Sequence, residues 1–426
     1  MMPLPITTSR SSPLFPPVNS VRDLGNDEKG TIPCDSSNRS IQTATSKDCD
    51  KSDEEYQPTT VAPQDINIKN VIEFLEYCTS SETSHECAET TTMNALSQLI
   101  QIYLYETDAT DEDMAEHMHA ALEKVLSLID KNHNNVPIVT LCVRALMAFT
   151  VSTDGGKNVN IEACNLVIVY EVVDYVVKAM NANPNSCELL RYSMKLLRNI
   201  DIASPDTANT KIVQACDFSG ISRIIGSMYA HPQCKIIQDD GCALLLSLCN
   251  DDVSNRRMVD ESFGVTAILI ALDTFRSNES VQEHACGALQ SLSKQENISE
   301  GILSNGGLKS LFVSLSEHVQ CQSIARQACL TLYNLFLAKD RIGEKSEETK
   351  IDDVHIGAMF VVLERYMESE DVISCVCYVL RQLAESEFNV EVMRRQQNAA
   401  MLLGRAAETY PASCKDLTDN IVELLI

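Results

Sequence analysis

Tryptophan is absent from this chain of 426 residues, and aromatics of all kinds make up only 5% of it. A folded core must therefore be built mainly from Leu, Ile, Val, Ala and Met. Basic side chains are scarce as well: 34 Lys and Arg stand against 60 Asp and Glu, a formal charge of −26. Sequence-independent nucleic-acid binding needs clustered cations to displace counterions from phosphates, and this balance argues against it. It also disfavours an anionic membrane surface. No stretch approaches the roughly 18 uninterrupted apolar residues of a membrane-spanning helix. MMPLPITTSRSSPLFPPVNS contains no secretory apolar segment, and IVELLI offers no prenylation cysteine.

Cysteine is plentiful, at 17, yet no CxxC pair occurs and the thiols are scattered through helical patterns. That usage predicts a reducing cytosol or nucleus, with most cysteines serving as small buried hydrophobes. The sequons at Asn38, Asn278 and Asn297 would then go unused. Positions 1–65 hold 8 of the 13 prolines and 16 Ser or Thr, without apolar periodicity. Such a segment buries too little apolar surface to offset the entropy of ordering, so a disordered tail is expected there. Within it, Ser52 precedes Asp53-Glu54-Glu55, a context that suits an acid-directed kinase.

Beyond residue 65 an internal repeat emerges. With anchors at Leu146, Leu197, Leu245, Leu289, Leu332 and Leu380, the residues eight before and three after each anchor are all apolar. The position four before is small or at most Val-sized: Cys142, Ser193, Gly241, Ala285, Ala328 and Val376. Residues 24, 21 and 17 before each anchor are again apolar, as in Val265, Ile268 and Leu272. Offsets of three and four mark one stripe of a helix, so two helices recur without insertion in six copies. Anchor spacings of 51, 48, 44, 43 and 48 residues lie near the roughly 40–47 of armadillo or HEAT units. A degenerate first copy uses Ile72, Leu75, Leu96 and Leu99. The register fades after Glu387.

SVQEHACGALQSLSKQENISEGILSNGGLKSLFVSL (280–315) resembles an armadillo repeat, and the resemblance extends over about residues 66–426. It implies an all-α, right-handed superhelical solenoid of about seven armadillo-like repeats. The expected organisation is a tail (1–65), a degenerate N-terminal capping repeat (66–118), core repeats (119–387) and C-terminal capping helices (388–426). Gly306 and Gly307 are expected to permit a sharp bend between helices.

Enzymatic and metal motifs are missing. The Gly-Gly at 306–307 lacks GxGxxG spacing, and DGGK at 154–157 lacks the Ser or Thr that would reach magnesium. His117 and His119 point apart on a helix. Cys78, His85 and Cys87 match no common zinc spacing, and the acidic run 106–116 lacks the central glycine of a calcium loop. No GxSxG elbow occurs. The expectation is a non-enzymatic chain without cofactor or metal.

The resemblance also implies a concave groove lined by third helices that hold extended peptides. Members resembling nuclear-import adaptors carry Trp two residues before the anchor and Asn two after it. Here the first column reads Arg144, Lys195, Ala243, Gly287, Leu330 and Tyr378, and the second Ala148, Asn199, Ser247, Ser291, Asn334 and Gln382. Without tryptophan, a pocket for basic side chains is not built. Six residues before the anchor stand Thr140, Arg191, Asp239, Glu283, Arg326 and Ser374. Arg144, Arg191 and Lys195 thus place cations on neighbouring rungs, and an acidic or phosphorylated peptide is the expected ligand. Asn199, Arg326, Asn334, Tyr378 and Gln382 complete the candidate face. The function expected is a cytoplasmic or nuclear protein-interaction scaffold. The alternatives are a transport adaptor, or a regulator of an enzyme such as a small GTPase.

Overall fold

The computed structural model describes residues 68–80, 85–105, 111–152, 158–342 and 349–426. The expected tail with Ser52, the DGGK turn and residues 106–110 of the acidic run lie outside them. So do the side chains of residues 111–116, His85 and Cys87. Among the described residues there are helices and one isolated antiparallel bridge, Val151 to Val159, but no strand. The fold is an all-α solenoid.

Long third helices stack side by side in the order α2 (His85–Tyr105), α4 (Val136–Phe149), α7 (Cys187–Ala203), α10 (Lys235–Cys249), α13 (Glu279–Leu292), α16 (Gln322–Ile342), α18 (Glu370–Leu383) and α21 (Lys415–Leu425). Second helices form a parallel layer: α1 (Ile68–Ser80), α3 (Asp111–Lys131), α6 (Val172–Ala182), α9 (Gly220–Ala230), α12 (Gly264–Thr274), α15 (Gly307–Glu317), α17 (Asp353–Arg365) and α20 (Ala399–Thr409). First helices lead into five of these pairs: α5 (Ile161–Val169), α8 (Pro205–Phe218), α11 (Val253–Glu261), α14 (Glu296–Ser304) and α19 (Glu387–Arg395).

The register explains the stack. All six anchor leucines are fully buried between the layers. Eleven residues before an anchor, Asn135, Ser186 and Asn278 cap α4, α7 and α13, their side-chain oxygens accepting from Ile138, Leu189 and Val281 amides. These caps satisfy orphan donors at the point where each third helix must begin. Gln238 and Gln282, both buried, tie their third helices to the carbonyls that close the preceding second helix, Met228 and His231 in one unit, Leu272 and Phe275 in the next. Three residues before the anchor, Cys242, Cys286, Cys329 and Cys377 form a fully buried column. Burial pushes the Cys286 thiol up to about 12, as expected of cysteines that act as hydrophobes. Every described cysteine is a free thiol.

First and second helices meet at a left-handed residue: Glu171, Phe263, Gly306 and Asn398 have φ of 55°, 63°, 80° and 64°. The glycine that follows in two of these units packs tightly. A Cβ on Gly307 would lie 2.4 Å from Ile302 Cγ2, and one on Gly264 2.4 Å from Val259 Cγ1. The pair α20–α21 continues the stack within the segment expected to cap it. Tyr410 donates to the Met367 carbonyl at 2.9 Å as Tyr366 donates to that of Val319 at 2.9 Å. No helix among the described residues is long and apolar enough to cross a membrane.

Candidate functional site

The third helices leave one face uncovered, and the side chains of interest project from it. On α7, Arg191, Lys195 and Arg198 follow one another at spacings of four and three, so they share a helix face. Arg144 reaches across from α4, its guanidinium 5.4 Å from the centroid of the Tyr192 ring. Lys195 is exposed; Arg144, Arg191 and Arg198 are half-buried. The structure thus brings together three of the predicted residues and adds Arg198. Its spacing of seven from Arg191 is a signal the repeat columns pass over, because it falls one residue after the anchor.

Arg198 spans a gap in the next rung. Ala243 takes the place on α10 that Lys195 holds on α7, and across α10 the Arg198 guanidinium lies 3.0 Å from His284 Nε2 on α13. His284 Nδ1 lies 2.6 Å from Asp239 Oδ1, whose carboxylate also accepts from Ser280 Oγ at 2.9 and 2.8 Å. With Arg198 donating to Nε2, the imidazole is the neutral tautomer that donates from Nδ1 to Asp239. Burial alone would raise the Asp239 carboxyl; hydrogen bonds from His284 and Ser280, with the charge of Arg198, hold it below its usual range. Asp240, its neighbour, is buried, and burial pushes its carboxyl up to about 6 against the pull of Lys195.

The column two residues after the anchor behaves otherwise than expected. Asn199 is 1% exposed, and its amide donates to Thr150 Oγ1 at 2.8 Å instead of facing a ligand. Gln382 is also buried, its Nε2 donating to Asp340 Oδ2 at 2.9 Å. Asn334 Nδ2 donates to Ser293 Oγ at 3.0 Å, and Ser247 Oγ to Asp201 Oδ1 at 2.5 Å. Each of these side chains staples its third helix to the preceding unit. Asn199 and Gln382 are therefore corrected from ligand contacts to internal struts, because a buried amide must satisfy its donors where it stands. Burial in the preceding unit is not visible from a position's column.

The C-terminal candidates are also engaged within the fold. Arg326 pairs with Asp371 at 2.5 Å, and Tyr378 donates to Asp340 Oδ2 at 2.6 Å. Burial, helped by Asp340, raises the Tyr378 phenol. Its ring meets Tyr333 edge-on, with centroids 4.8 Å apart. Glu283 accepts from Ser323. The basic rungs and this tyrosine cluster are thus separate features of one face.

Other candidate chemistry is not assembled. Among the described residues no group of three or more His, Cys, Asp or Glu could hold a metal ion. His119 Nδ1 is 3.0 Å from the Tyr170 hydroxyl. Gly306 and Gly307 form a helix junction. An open cavity of about 850 Å³, lined in part by Asp206, Asn209, Phe218, Asp251 and Asp252, lies between α8 and the α10–α11 junction.

No protein-family model matches the sequence, and no curated protein matches it. The fold does have relatives among solved structures. One, from work on a conserved phosphorylation switch that controls the interaction between cadherin and beta-catenin, superposes with a TM-score of 0.61 at 13% identity. This chain is armadillo-like in fold. The match covers 84% of it and 60% of that chain, so it spans about three-fifths of the neighbour's length. Two crystal structures of engineered proteins match 63% and 64% of this chain and 98% of their own, each at 17% identity, with TM-scores of 0.47 and 0.48.

Proposed function

We propose that residues 66–426 form a non-enzymatic protein-interaction scaffold that takes acidic or phosphorylated peptide segments on its third-helix face at α4 and α7. The observation that carries this reading is the gathering of Arg144, Arg191, Lys195 and Arg198 on two adjacent helices of a chain whose formal charge is −26. Cations so placed steer anions to one end of the face and supply charge-assisted hydrogen bonds at contact. The stapling of Asn199 and Gln382 supports the same view. Amides spent inside the fold cannot pair with a peptide backbone, so recognition falls to side-chain charge. The similar solved structure concerns an interaction under a phosphorylation switch, and a phosphate added to a ligand here would meet these same cations.

The test is fluorescence anisotropy with a fluorescein-labelled hexaglutamate peptide, together with a serine peptide of equal length and its phosphorylated form. Wild type is expected to bind hexaglutamate and to prefer the phosphopeptide, both weakening with salt. Arg191→Glu combined with Lys195→Glu should weaken both by more than about tenfold, or roughly 1.4 kcal/mol. An unchanged affinity in a folded double variant would sink the proposal.

A further inference from the structure

Arg198 is held differently from other arginines of the stack. Arg326, Arg341 and Arg395 each pair with a carboxylate of another helix: Asp371, Glu296 and Asp353. Among the described residues no carboxylate stands within ion-pair distance of Arg198, and its guanidinium is bonded to the imidazole of His284 at 3.0 Å. That imidazole is itself fixed. Its Nδ1 lies 2.6 Å from Asp239 Oδ1, and Ser280 Oγ donates to the same carboxylate. The half-buried guanidinium of α7 is thus tied to α13, with Asp239 of α10 bracing the tie. A long side chain that grips an anion from solvent must first give up its rotamer freedom. One already tethered has given up part of it, which favours binding.

We propose that Arg198, tethered by His284 and Asp239, is the residue by which this face tells a phosphorylated segment from one that is merely acidic. The inference rests on the acidic-ligand reading above and goes further, since it names the preferred ligand and the group that selects it. A guanidinium carries five N–H donors in a planar fork, and the tether commits one nitrogen to His284. An edge of the fork remains for two oxygens of one anion. Lys195 and Arg191 stand three and seven residues before Arg198 on the same face of α7. A carboxylate that fills the fork has no third oxygen to offer. A phosphate monoester fills it with two, extends a third to Lys195, and brings a charge of about −1.5 to −2. The neutral imidazole orients the guanidinium without cancelling its charge, whereas a carboxylate in its place would compete with the ligand. Asp239 stands behind the ring and fixes which nitrogen carries the proton.

The experiment compares labelled hexaglutamate with the same peptide carrying phosphoserine at its third position, by anisotropy at about pH 7.5, where the phosphate is mostly dianionic. Wild type is expected to bind the phosphopeptide about tenfold more tightly. Arg198→Lys keeps the charge and removes the fork, so the preference should fall to about twofold or less, the phosphopeptide losing more affinity than hexaglutamate. His284→Ala should lower the preference as well. His284→Gln, whose amide can accept from Arg198 and donate to Asp239, should restore most of it. A purely structural role would weaken both peptides alike and leave their ratio unchanged. Wild type that binds hexaglutamate but the phosphopeptide no better overturns the role of Arg198 and leaves the acidic-ligand reading standing. So does a ratio unchanged in Arg198→Lys, or one lost in His284→Ala that His284→Gln does not restore. Failure of wild type to bind either peptide overturns both readings.

Discussion

The buried carboxyl of Asp240 on α10 bears on folding. The Asp240 carboxyl rises from 3.8 to about 6, which corresponds to a penalty of about 3 kcal/mol on its ionised form. The folded state then holds this proton more tightly than the unfolded chain does. Stability is fully retained below the unfolded value and lost as pH climbs through the folded one. Asp240→Asn should therefore be more stable than wild type at pH 7.5, by about 1–3 kcal/mol in urea unfolding. The gap should close as pH falls from 6 towards 4. A variant equally or less stable at pH 7.5 would show that the carboxylate is satisfied. The sequence gives no warning of this residue. Asp239 and Asp240 stand side by side, and only the packing of α13 over α10 decides which of the two is engaged by Ser280 and His284. The helix face that Arg191 and Lys195 share is legible from their columns, because which positions share a face depends on periodicity alone. The role of Asn199 is not, because its partner Thr150 belongs to the previous unit.

Among elements, the junction between first and second helices is the most demanding. Gly307 follows a left-handed Gly306 and sits against the Ile302 carbonyl, which a Cβ would approach to 2.8 Å. Gly307→Ala must push backbone as well as side chain, and a loss of about 1–3 kcal/mol is expected in urea unfolding. Gly404, inside α20, has nothing within 4 Å of a built Cβ. Gly404→Ala should instead gain about 0.5–1 kcal/mol by reducing helix entropy loss. Opposite signs from the same chemical change would separate a packing glycine from a permissive one; equal signs would refute the junction account. The Gly306–Gly307 bend could be read from sequence. The same left-handed turn at Phe263 and Glu171 could not, since those residues carry no conformational signature.

For the whole molecule the relevant property is that each unit packs on its neighbours. Leu289→Ala empties a fully buried site on α13 and should cost about 2–5 kcal/mol. In a nearest-neighbour stack the damage spreads outward from the altered unit. Hydrogen exchange should therefore lose protection in α12 and α13, then in α10 and α16, which pack on α13, and leave α1–α4 nearly unchanged. Uniform loss across the array would mean that it melts as one body. The six-copy register made this architecture visible in the sequence, whereas the pair α20–α21 escaped it: Leu424 and Leu425 stand 44 and 45 residues after Leu380, but α21 buries Thr418 and Ile421 instead. The four polar struts of the column two residues after the anchor share a direction. Asn199 reaches back to Thr150, Ser247 to Asp201, Asn334 to Ser293 and Gln382 to Asp340, over 49, 46, 41 and 42 residues. In each case the donor is translated after its acceptor. A chain emerging from the ribosome, where earlier segments fold first, can thus close each of these four struts as its later unit docks on a neighbour already made.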